Sequence, residues 1–505
     1  MLTNLCGQWM SVSTVDGYRQ ANSSRLIVVG CSDSASEGFR FTWPGRYRAV
    51  RSTGRGIGTL DVGRLTVTVV LTLALFSCGM GGATSQLVGQ SQPAKMSVSD
   101  TKPITAAEAE RFGPIQRTFY AAALRASEWL ARQQRADGTF PNGLEPALDC
   151  PLEEDNYLRQ IQATLALAQA ARLTGEDRWA ARARQAVLVA LAGTVTDPQD
   201  GQCRFPRPPL VSSGRLSAAG LLLAAIHQLP QPGEDLLASG EQLARWIARQ
   251  QQADGTLQLL GPSPTLPWMV QIEEERQPLH YGPGQALWGV MLSQARCPQA
   301  WKLDLLRRAR QPYVRLCQEQ LVKLGLSSGN VPPPSPTPES LSGSPILVVW
   351  HIAAWAEAFR HSQERAFAEF VFEFADRLLP LQYADSTSPM FLGGFADSMA
   401  GRLRQQPPDW RTSYYAWTLV YAASTARLVG DQARAQRYTA AAESALQFVT
   451  TLQYTSVNTV HFAPEYQPRV LGGFRRGLRD GVISLQAQQA AISALWTYLE
   501  LLARR

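Results

Sequence analysis

The sequence predicts an all-α fold in which about twelve helices form six hairpins, and three observations carry that prediction. From about residue 105 onward, apolar residues recur at helical spacing and strand-like alternation is rare. A short motif ending in Gln recurs through alternate helices, as a structural repeat does. Short connections alternate with long ones in the same region, so successive helices are expected to pack side by side.

The composition supports a large folded core, and the distribution of charge argues against nucleic acid as a partner. The 505 residues are 45% hydrophobic and include 13 Trp, which argues against a disordered chain. The formal charge of +7 is concentrated at the start, because residues 1–77 hold 8 Arg against 4 acidic residues and the remainder carries only +3. That balance indicates that the protein does not bind nucleic acid.

An apolar stretch at residues 65–77 has the character of an export signal. Its thirteen residues follow Arg64, are too few to cross a bilayer, and suit the core of a signal peptide. It ends Phe76-Ser77-Cys78, which resembles the lipobox of bacterial lipoproteins, and the resemblance implies lipidation of Cys78. The alternative is a transmembrane or buried segment with a free cysteine.

The chain is therefore expected to divide into four parts. These are an N-terminal extension (1–64), the signal-like segment (65–78), a small and polar tether (79–104) and the helical domain (105–505). A translation start near Val62 would explain why the signal lies so far from the first residue. We expect an exported protein, periplasmic or in the cell envelope, held to a membrane by a lipid anchor.

Twelve helices are predicted from the spacing of apolar residues within the helical domain. Each is rich in Ala, Leu, Arg or Gln, which favour helix, and each spans 15 to 25 residues. The predicted ranges are 114–135, 155–173, 177–193, 213–228, 233–252, 282–296, 300–324, 344–361, 364–382, 411–428, 431–453 and 482–503.

The repeated motif places a Gln five residues after a bulky side chain in every second helix. Its copies are Trp129 with Gln134, Trp246 with Gln251, Tyr313 with Gln318, Arg377 with Gln382, and Phe448 with Gln453. The leading positions are 117, 67, 64 and 71 residues apart, so a degenerate copy is expected at residues 185–195. The motif therefore predicts six repeats of a helical pair.

The first copy also carries a family resemblance. It reads Arg125-Ala126-x-x-Trp129-Leu130-x-x-x-Gln134-x-x-x-Gly138-x-Phe140. This resembles the QW motif of squalene cyclases and related α/α-toroid proteins, with Phe140 in place of the final Trp. The resemblance implies an (α/α)6 barrel, in which the motif helices form an outer ring and the Ala- and Leu-rich helices an inner ring.

We expect the motif to serve the architecture more than the chemistry. The Gln side chain can bond the backbone at the start of a neighbouring helix, and the Asp-Gly pair that follows makes the turn that ends the outer helix. Two further loops, 391–395 and 470–474, share the pattern Leu-Gly-Gly-Phe and are interpreted as repeated turns at the barrel mouth.

Loop lengths predict which end of the barrel carries function. Connections from inner to outer helices are short, whereas those from outer to inner helices are long, and long loops in compact domains are usually functional. At that end the inner helices present their N-termini, which concentrate partial positive charge and free N–H donors. A ligand pocket is expected there.

Residues at the starts of the inner helices are the candidates for lining this pocket. The expected catalytic residues are Asp155, Tyr157, His351, Asp409 and Asp480. The expected substrate-binding residues are Asn156, Arg159, Tyr281, Trp350, Arg411, Tyr414 and Gln486. For Asp155 alone, helix capping is the simpler interpretation, and for His351 a place in the core is an equal alternative.

Three functions fit these residues, and the first is a carbohydrate-active enzyme, by analogy with other barrels of six helical hairpins. A hydrolase would need two carboxylates about 5–10 Å apart, and the best pair is Asp155 with Asp409 or Asp480. A lyase or epimerase would use Tyr or His as base, with Asn156 or Arg159 neutralising a uronate carboxylate. A polysaccharide or small-molecule ligand is expected in each case.

The other two are a terpenoid cyclase or prenyltransferase, and a binding or scaffold lipoprotein without catalysis. The sequence lacks the DxDD acid motif of cyclases and the zinc-ligand set of prenyltransferases, so the QW resemblance implies a shared fold more than an activity. No cofactor or metal is expected, since no Cys or His spacing suggests zinc. Cys150 and Cys203 are expected to be unpaired thiols.

Overall fold

The computed structural model describes residues 102–152, 157–207, 214–258, 281–326, 346–385 and 388–504. All of them belong to the second of two compact units, Gln90–Arg505. The predicted extension (1–64), the signal-like segment with Cys78 and nearly all of the tether lie outside the described residues. Within the described residues, no helix is both long and apolar enough to cross a membrane.

Twelve long helices run through the described domain, and their bounds follow the predicted ones within a few residues. They are α1 Pro114–Gln133, α2 Tyr157–Thr174, α3 Asp177–Ala192, α4 Arg215–Gln228, α5 Glu234–Arg249, α6 Gly282–Arg296, α7 Ala300–Lys323, α8 Ile346–Ser362, α9 Arg365–Leu378, α10 Thr412–Val429, α11 Gln432–Thr451 and α12 Leu485–Ala503. The prediction of an all-α fold is confirmed.

The even-numbered helices form a closed inner ring. Each contacts its two even-numbered neighbours, and α12 returns to contact α2. These helices are apolar on nearly every face, so α4 buries each residue from Leu216 to Gln228. Small residues allow the closest approach: a Cβ on Gly289 would overlap the carbonyl of Gly220 in the adjacent helix.

The odd-numbered helices form the outer ring. They are amphipathic and bury one face, as α5 does with Leu243, Trp246 and Ile247. Each of α3 to α11 packs against the inner helix that precedes it, and α1 packs against α12 at the far end of the chain. The first and last long helices thus complete the sixth hairpin, which confirms the (α/α)6 barrel.

The motif Gln residues tie neighbouring outer helices together. In four of the five copies the Nε2 donates to the carbonyl of a Gly in its own turn at 3.1 Å, and to a carbonyl of the next outer helix at 2.9–3.0 Å. For Gln134, Gln251, Gln382 and Gln453 the second acceptors are Arg182, Leu305, Ala441 and Ala122.

Two details of the motif prediction need correction. The second acceptors lie more than one turn inside the neighbouring helix, where the expectation placed them at its start. Gln318 also departs from the pattern, because its Nε2 donates to the side chain of Glu373 at 3.0 Å. The backbone carbonyls of a helix interior can accept a second hydrogen bond because each oxygen has two lone pairs.

Five short strands, which were not predicted, lie in the long connections. β1 Gly143–Glu145, β2 Cys150–Pro151 and β5 Ile483–Ser484 form an antiparallel sheet in the order β2-β1-β5, while β3 Thr194–Asp197 and β4 Asp200–Pro206 pair as a hairpin. The β1–β5 pairing joins the loop before α2 to the loop before α12. The four described cysteines, Cys150, Cys203, Cys297 and Cys317, are free thiols.

Candidate functional site

A cavity of about 670 Å³ opens at the end of the barrel that carries the long loops. It lies over the first turns of α2, α10 and α12 and the connections that precede them. Its lining residues are Asn142, Leu152, Arg159, Asp409, Trp410, Arg411, Arg476, Gly477, Asp480, Ser484 and Gln486. The inner-helix N-termini and the long loops therefore share one rim, as the loop lengths predicted.

The motif turns anchor the rim to the inner helices. The Phe140 backbone donates to Oε1 of Gln160 and accepts from its Nε2, both at 2.8 Å. Gln488 donates to the Phe474 carbonyl at 2.9 Å. In each loop the chain then leaves the anchored aromatic and reaches the mouth of the barrel two residues later.

The Cβ atoms of two aspartates lie close to the same residue, which has no side chain. A Cβ built on Gly477 would lie 3.8 Å from the Cβ of Asp409 and 3.8 Å from that of Asp480. The two Cβ atoms are therefore separated by no more than twice that distance. Backbone pairing of Asp409 with Gly477 sets this spacing, and the Trp410 N–H donates to the Arg476 carbonyl at 2.9 Å.

Arginines neutralise these carboxylates in different ways. Nη2 of Arg411 contacts Oδ2 of Asp409 at 2.6 Å and Oδ2 of Asp397 at 2.8 Å. Arg476 contacts Oδ2 of Asp480 at 2.9 Å. Arg159, in the first turn of α2, donates to Oε1 of Gln486 in the first turn of α12. The site combines a cluster of cations with at least three carboxylates.

Burial shifts the proton affinity of one member of this cluster. It raises the pKa of Asp397, and the charge of Asp409 adds to that effect while Arg411 opposes it. For Arg411, burial acts to lower the pKa, but the bonds and charges of Asp409 and Asp397 outweigh it and raise the pKa. Arg411 is thus a permanent cation between two anions.

Aromatic rings fill the barrel beneath the cavity. Trp410 contacts Tyr414 with ring centroids 5.6 Å apart, and Tyr414 in turn contacts Trp350 at 5.6 Å. Trp350 packs against Trp417 at 4.8 Å. Trp410 is half-buried, whereas Tyr414 and Trp350 are only 2% and 1% exposed. Of these rings, only Trp410 lines the cavity, whereas the expected binding residues Trp350 and Tyr414 are not among its lining residues.

Two of the expected catalytic residues point away from the cavity. The Tyr157 hydroxyl donates to the Ala190 carbonyl of α3 at 2.6 Å. His351 is wholly buried, with its ring 4.5 Å from that of Tyr313 in α7, and burial lowers its pKa to about 3. Neither side chain reaches the cavity, so the catalytic roles expected for them are not supported.

The other expected residues lie in the cavity, beside a residue that lines it, or outside the described residues. The cavity brings together five of them: Arg159, Asp409, Arg411, Asp480 and Gln486. Tyr281 is half-buried and lies close enough to Arg159 for that charge to act on it. Asp155 and Asn156 lie outside the described residues.

Sequence reasoning missed several residues of the site, and one signal would have found three of them. Asn142, Asp397 and Arg476 each follow a motif aromatic by two residues, at Phe140, Phe395 and Phe474. Asn142 and Arg476 line the cavity, and Asp397 holds Arg411 at its edge. No group of three or more metal-ligating side chains occurs among the described residues.

No protein-family model matches the chain, and no curated protein is similar to it in sequence. Solved structures are similar in fold. An unsaturated glucuronyl hydrolase specific for heparin matches with a TM-score of 0.51 and 13% identity, covering 76% of this chain and 97% of that chain. The GH76A alpha-1,6-mannanase from Salegentibacter sp. HEL1_6 matches with 0.50 and 10%, covering 76% and 99%.

An inactive variant of that mannanase in complex with alpha-1,6-mannotetrose gives the same values. At identities this low the likeness establishes the architecture alone. The chain has the (α/α)6 toroid fold of six helical hairpins.

Proposed function

We propose that this protein binds a carbohydrate in the rim cavity and hydrolyses a glycosidic bond there, with Asp409 and Asp480 as the two carboxylates. The supporting observation is that both lie beside Gly477, since the Cβ of each is 3.8 Å from a Cβ built at that residue. Glycoside hydrolysis uses a carboxylic acid and a carboxylate separated by about 5–10 Å, with the scissile bond between them.

The remaining lining residues suit a sugar. Trp410 offers a half-buried aromatic face, and sugar rings present C–H surfaces that pack on such faces. Asn142, Ser484 and Gln486 supply neutral donors and acceptors around it. A cavity of about 670 Å³ falls in the ordinary range for ligand sites.

Hydrolysis is better supported than elimination or epimerisation. Those reactions commonly use a Tyr or His base. Tyr157 and His351 are turned away from the cavity, and the buried Tyr414 hydroxyl donates to Oε1 of Gln489 at 2.9 Å. A terpenoid cyclase needs a deep apolar cavity, whereas the described barrel axis holds packed Trp and Tyr rings. The names of the two similar structures, a glucuronyl hydrolase and a mannanase, support a carbohydrate as the ligand class.

The test is a turnover screen of the purified full-length protein with matched variants. Alpha-1,6-mannooligosaccharides and unsaturated heparin fragments are the first probes, followed by neutral and acidic polysaccharides, with release of reducing ends as the readout. We expect Asp409→Asn and Asp480→Asn each to lower kcat at least about 100-fold, because each removes an ionisable group of the reaction.

Asp385→Asn is the matched control for that screen. It removes the same charge from a carboxylate that is 86% exposed and paired with Arg402, outside the cavity. Its turnover should equal that of the wild type. Wild-type rates in both Asp409→Asn and Asp480→Asn would exclude this pair of carboxylates.

A second candidate is a carbohydrate-binding protein without catalysis. It is favoured by the ion pairs of Asp409 with Arg411 and of Asp480 with Arg476, which leave neither carboxylate unpaired. This candidate predicts that glycans bind and that Trp410→Ala abolishes binding, while no probe is cleaved.

We further propose that the protein is exported and anchored through a lipid on Cys78. The apolar run at 65–77 and the Ser77-Cys78 junction support this. Labelling with a radioactive fatty acid should mark the wild type and not Cys78→Ala. Equal labelling of both would disprove lipidation at Cys78.

A further inference from the structure

One guanidinium nitrogen of Arg411, at the cavity, contacts two carboxylates. Nη2 of Arg411 contacts Oδ2 of Asp409 at 2.6 Å and Oδ2 of Asp397 at 2.8 Å. The two carboxylate oxygens can therefore be no farther apart than the sum of these two distances. Arg411 also donates from Nε to both oxygens of Asp409, at 2.9 and 3.0 Å.

Asp397 reaches Arg411 because of the loop that carries it. Gly393 adopts a φ of +81° in the turn after α9, and the Phe395 N–H donates to Oγ1 of Thr412 at 3.2 Å, in the first turn of α10. Arg411 is the N-cap of the same helix. The loop and the helix start are thus joined by the backbone on one side and by the Asp397–Arg411 ion pair on the other.

The other groups around Asp397 do not replace Arg411. Tyr415 is buried, stacks on Phe395 at 4.5 Å, and has no hydrogen-bond partner for its hydroxyl among the described residues. Tyr383 is buried, and the Arg402 guanidinium lies 4.4 Å from its ring centroid and pairs with Asp385. Among these groups Arg411 is the cation that contacts Asp397. Asp409 competes with Asp397 for this cation.

We propose that Asp397 is a positioning residue of this site, which competes with Asp409 for Arg411 and so controls how firmly that arginine grips Asp409. The proposal rests on the proposed function, since Asp409 is one of the two carboxylates assigned to hydrolysis. Asp397 is not among the residues that line the cavity, and it acts through its contact with Arg411.

The competition has a definite electrostatic consequence. Loss of the Asp397 charge removes a negative neighbour of Asp409 and leaves Arg411 to Asp409 alone. Both changes strengthen the electrostatic hold of Arg411 on Asp409. Asp480 is paired with Arg476, and the loss of Asp397 should leave that ion pair in place.

The first experiment compares pH–rate profiles of wild type, Asp397→Asn and Asp397→Glu on a substrate found in the screen. In Asp397→Asn one limb of the profile should be displaced to lower pH, with kcat reduced more than KM is changed. Asp397→Glu restores the charge and should restore part of the profile.

Asp385→Asn supplies the control, because it removes an exposed carboxylate from the same connection. Its profile should coincide with that of the wild type. A uniform loss of rate in Asp397→Asn, with neither limb displaced, would show a merely structural role and overturn the proposal.

The second experiment needs no substrate. Asp397→Asn is made in the wild type and in Arg411→Met, and melting temperatures are compared. In the wild type it should lower the melting temperature, since Arg411 loses a partner. In the Arg411→Met background, Asp397→Asn should raise the melting temperature or leave it unchanged, because the half-buried carboxylate no longer has a cation to pair with.

Equal shifts in the two backgrounds would mean that Asp397 does not act on Arg411, and the proposal would fail whatever the activity. A protein that cleaves no glycan but shows this reversal would instead contradict the proposed hydrolysis while leaving the Asp397–Arg411 coupling established. The two failures are therefore distinguishable.

Discussion

At the scale of single residues, burial decides what a histidine can do. His227 and His351 are 1% and 0% exposed, and no hydrogen-bond partner of their ring nitrogens occurs among the described residues. Burial lowers the pKa of each to about 3, with nearby cations adding to the effect at His227. Both rings are neutral core side chains at physiological pH, so neither can act there as a proton shuttle.

These histidines should make the protein less stable in mild acid. Their folded pKa of about 3 lies below the ordinary value of 6.5, so the unfolded chain binds more protons and stability falls as pH drops below 6.5. At pH 5 each should cost about 2 kcal/mol. Melting temperatures from pH 7.5 to 4.5 should fall less steeply in His351→Phe, which keeps the ring stack.

The exposed His461 supplies the control for this measurement. His461→Gln should reproduce the wild-type curve. If His351→Phe and the wild type lose stability in parallel, the imidazole of His351 does not titrate as its burial predicts.

At the scale of elements, the turns after the outer helices carry both the fold and the site. A Gly with positive φ lets the chain reverse, at Gly138, Gly255, Gly393 and Gly472, with φ from +81° to +94°. The carbonyl of each accepts from a motif Gln. The aromatic that follows is held by the first turns of an inner helix at Phe140, Phe395 and Phe474.

Two glycines have nearly the same φ, so replacing each by Ala separates the cost of backbone strain from the cost of steric overlap. Gly430 has a φ of +83° and open space around a built Cβ, so Gly430→Ala should cost only the conformational strain, about 1 kcal/mol. Gly393 has a φ of +81°, and its Cβ would overlap the Ser444 carbonyl of α11. Gly393→Ala should therefore cost more than about 3 kcal/mol in urea unfolding. Equal losses would mean that the turn does not press on α11.

At the scale of the whole molecule, the ring closes through contacts between the two ends of the chain. Gln453, just after the end of α11, donates to the Ala122 carbonyl of α1 at 2.9 Å. At the opposite end of the barrel from the cavity, Arg172 of α2 forms a two-bond ion pair with Glu500 of α12, at 2.9 and 3.0 Å. Cations here also offset the partial negative charge of the inner-helix C-termini.

Glu500 should be a large contributor to the stability of the closed ring. Burial would raise its pKa, but Arg172 and Arg504 outweigh that effect and lower it to about 2. Its contribution is thus complete above the unfolded value of 4.5 and is lost as pH falls through 2. Glu500→Gln should cost about 3 kcal/mol in urea unfolding at pH 7, because it leaves Arg172 buried without a counter-charge.

Asp304→Asn provides the comparison, since Asp304 is 57% exposed in its pair with Arg307. Surface pairs contribute at most about 1 kcal/mol, so the loss should be small. Similar losses in the two variants would show that the buried pair has no special part in closing the ring.

The sequence alone determined the architecture because helix formation is local. Apolar spacing and the alternation of loop lengths located the twelve long helices of the described residues and the end of the barrel that carries the cavity, while the resemblance of the Gln motif to α/α-toroid proteins implied the two rings. Five of the proposed site residues also followed, because a residue at the start of an inner helix has only one end of the barrel to occupy. The short β1–β5 pairing was not predicted, because it joins segments that are far apart in the chain.

The tertiary structure decided which of those residues meet. Inner helices are apolar on every side, so their sequence pattern does not mark the face that lines the barrel axis. Trp350 and His351 are adjacent, yet the first packs on Trp417 at the axis and the second on Tyr313 of an outer helix. Asp397, Asp409 and Asp480 come together only because the closed ring brings separate loops to one rim, a relation that no local spacing contains.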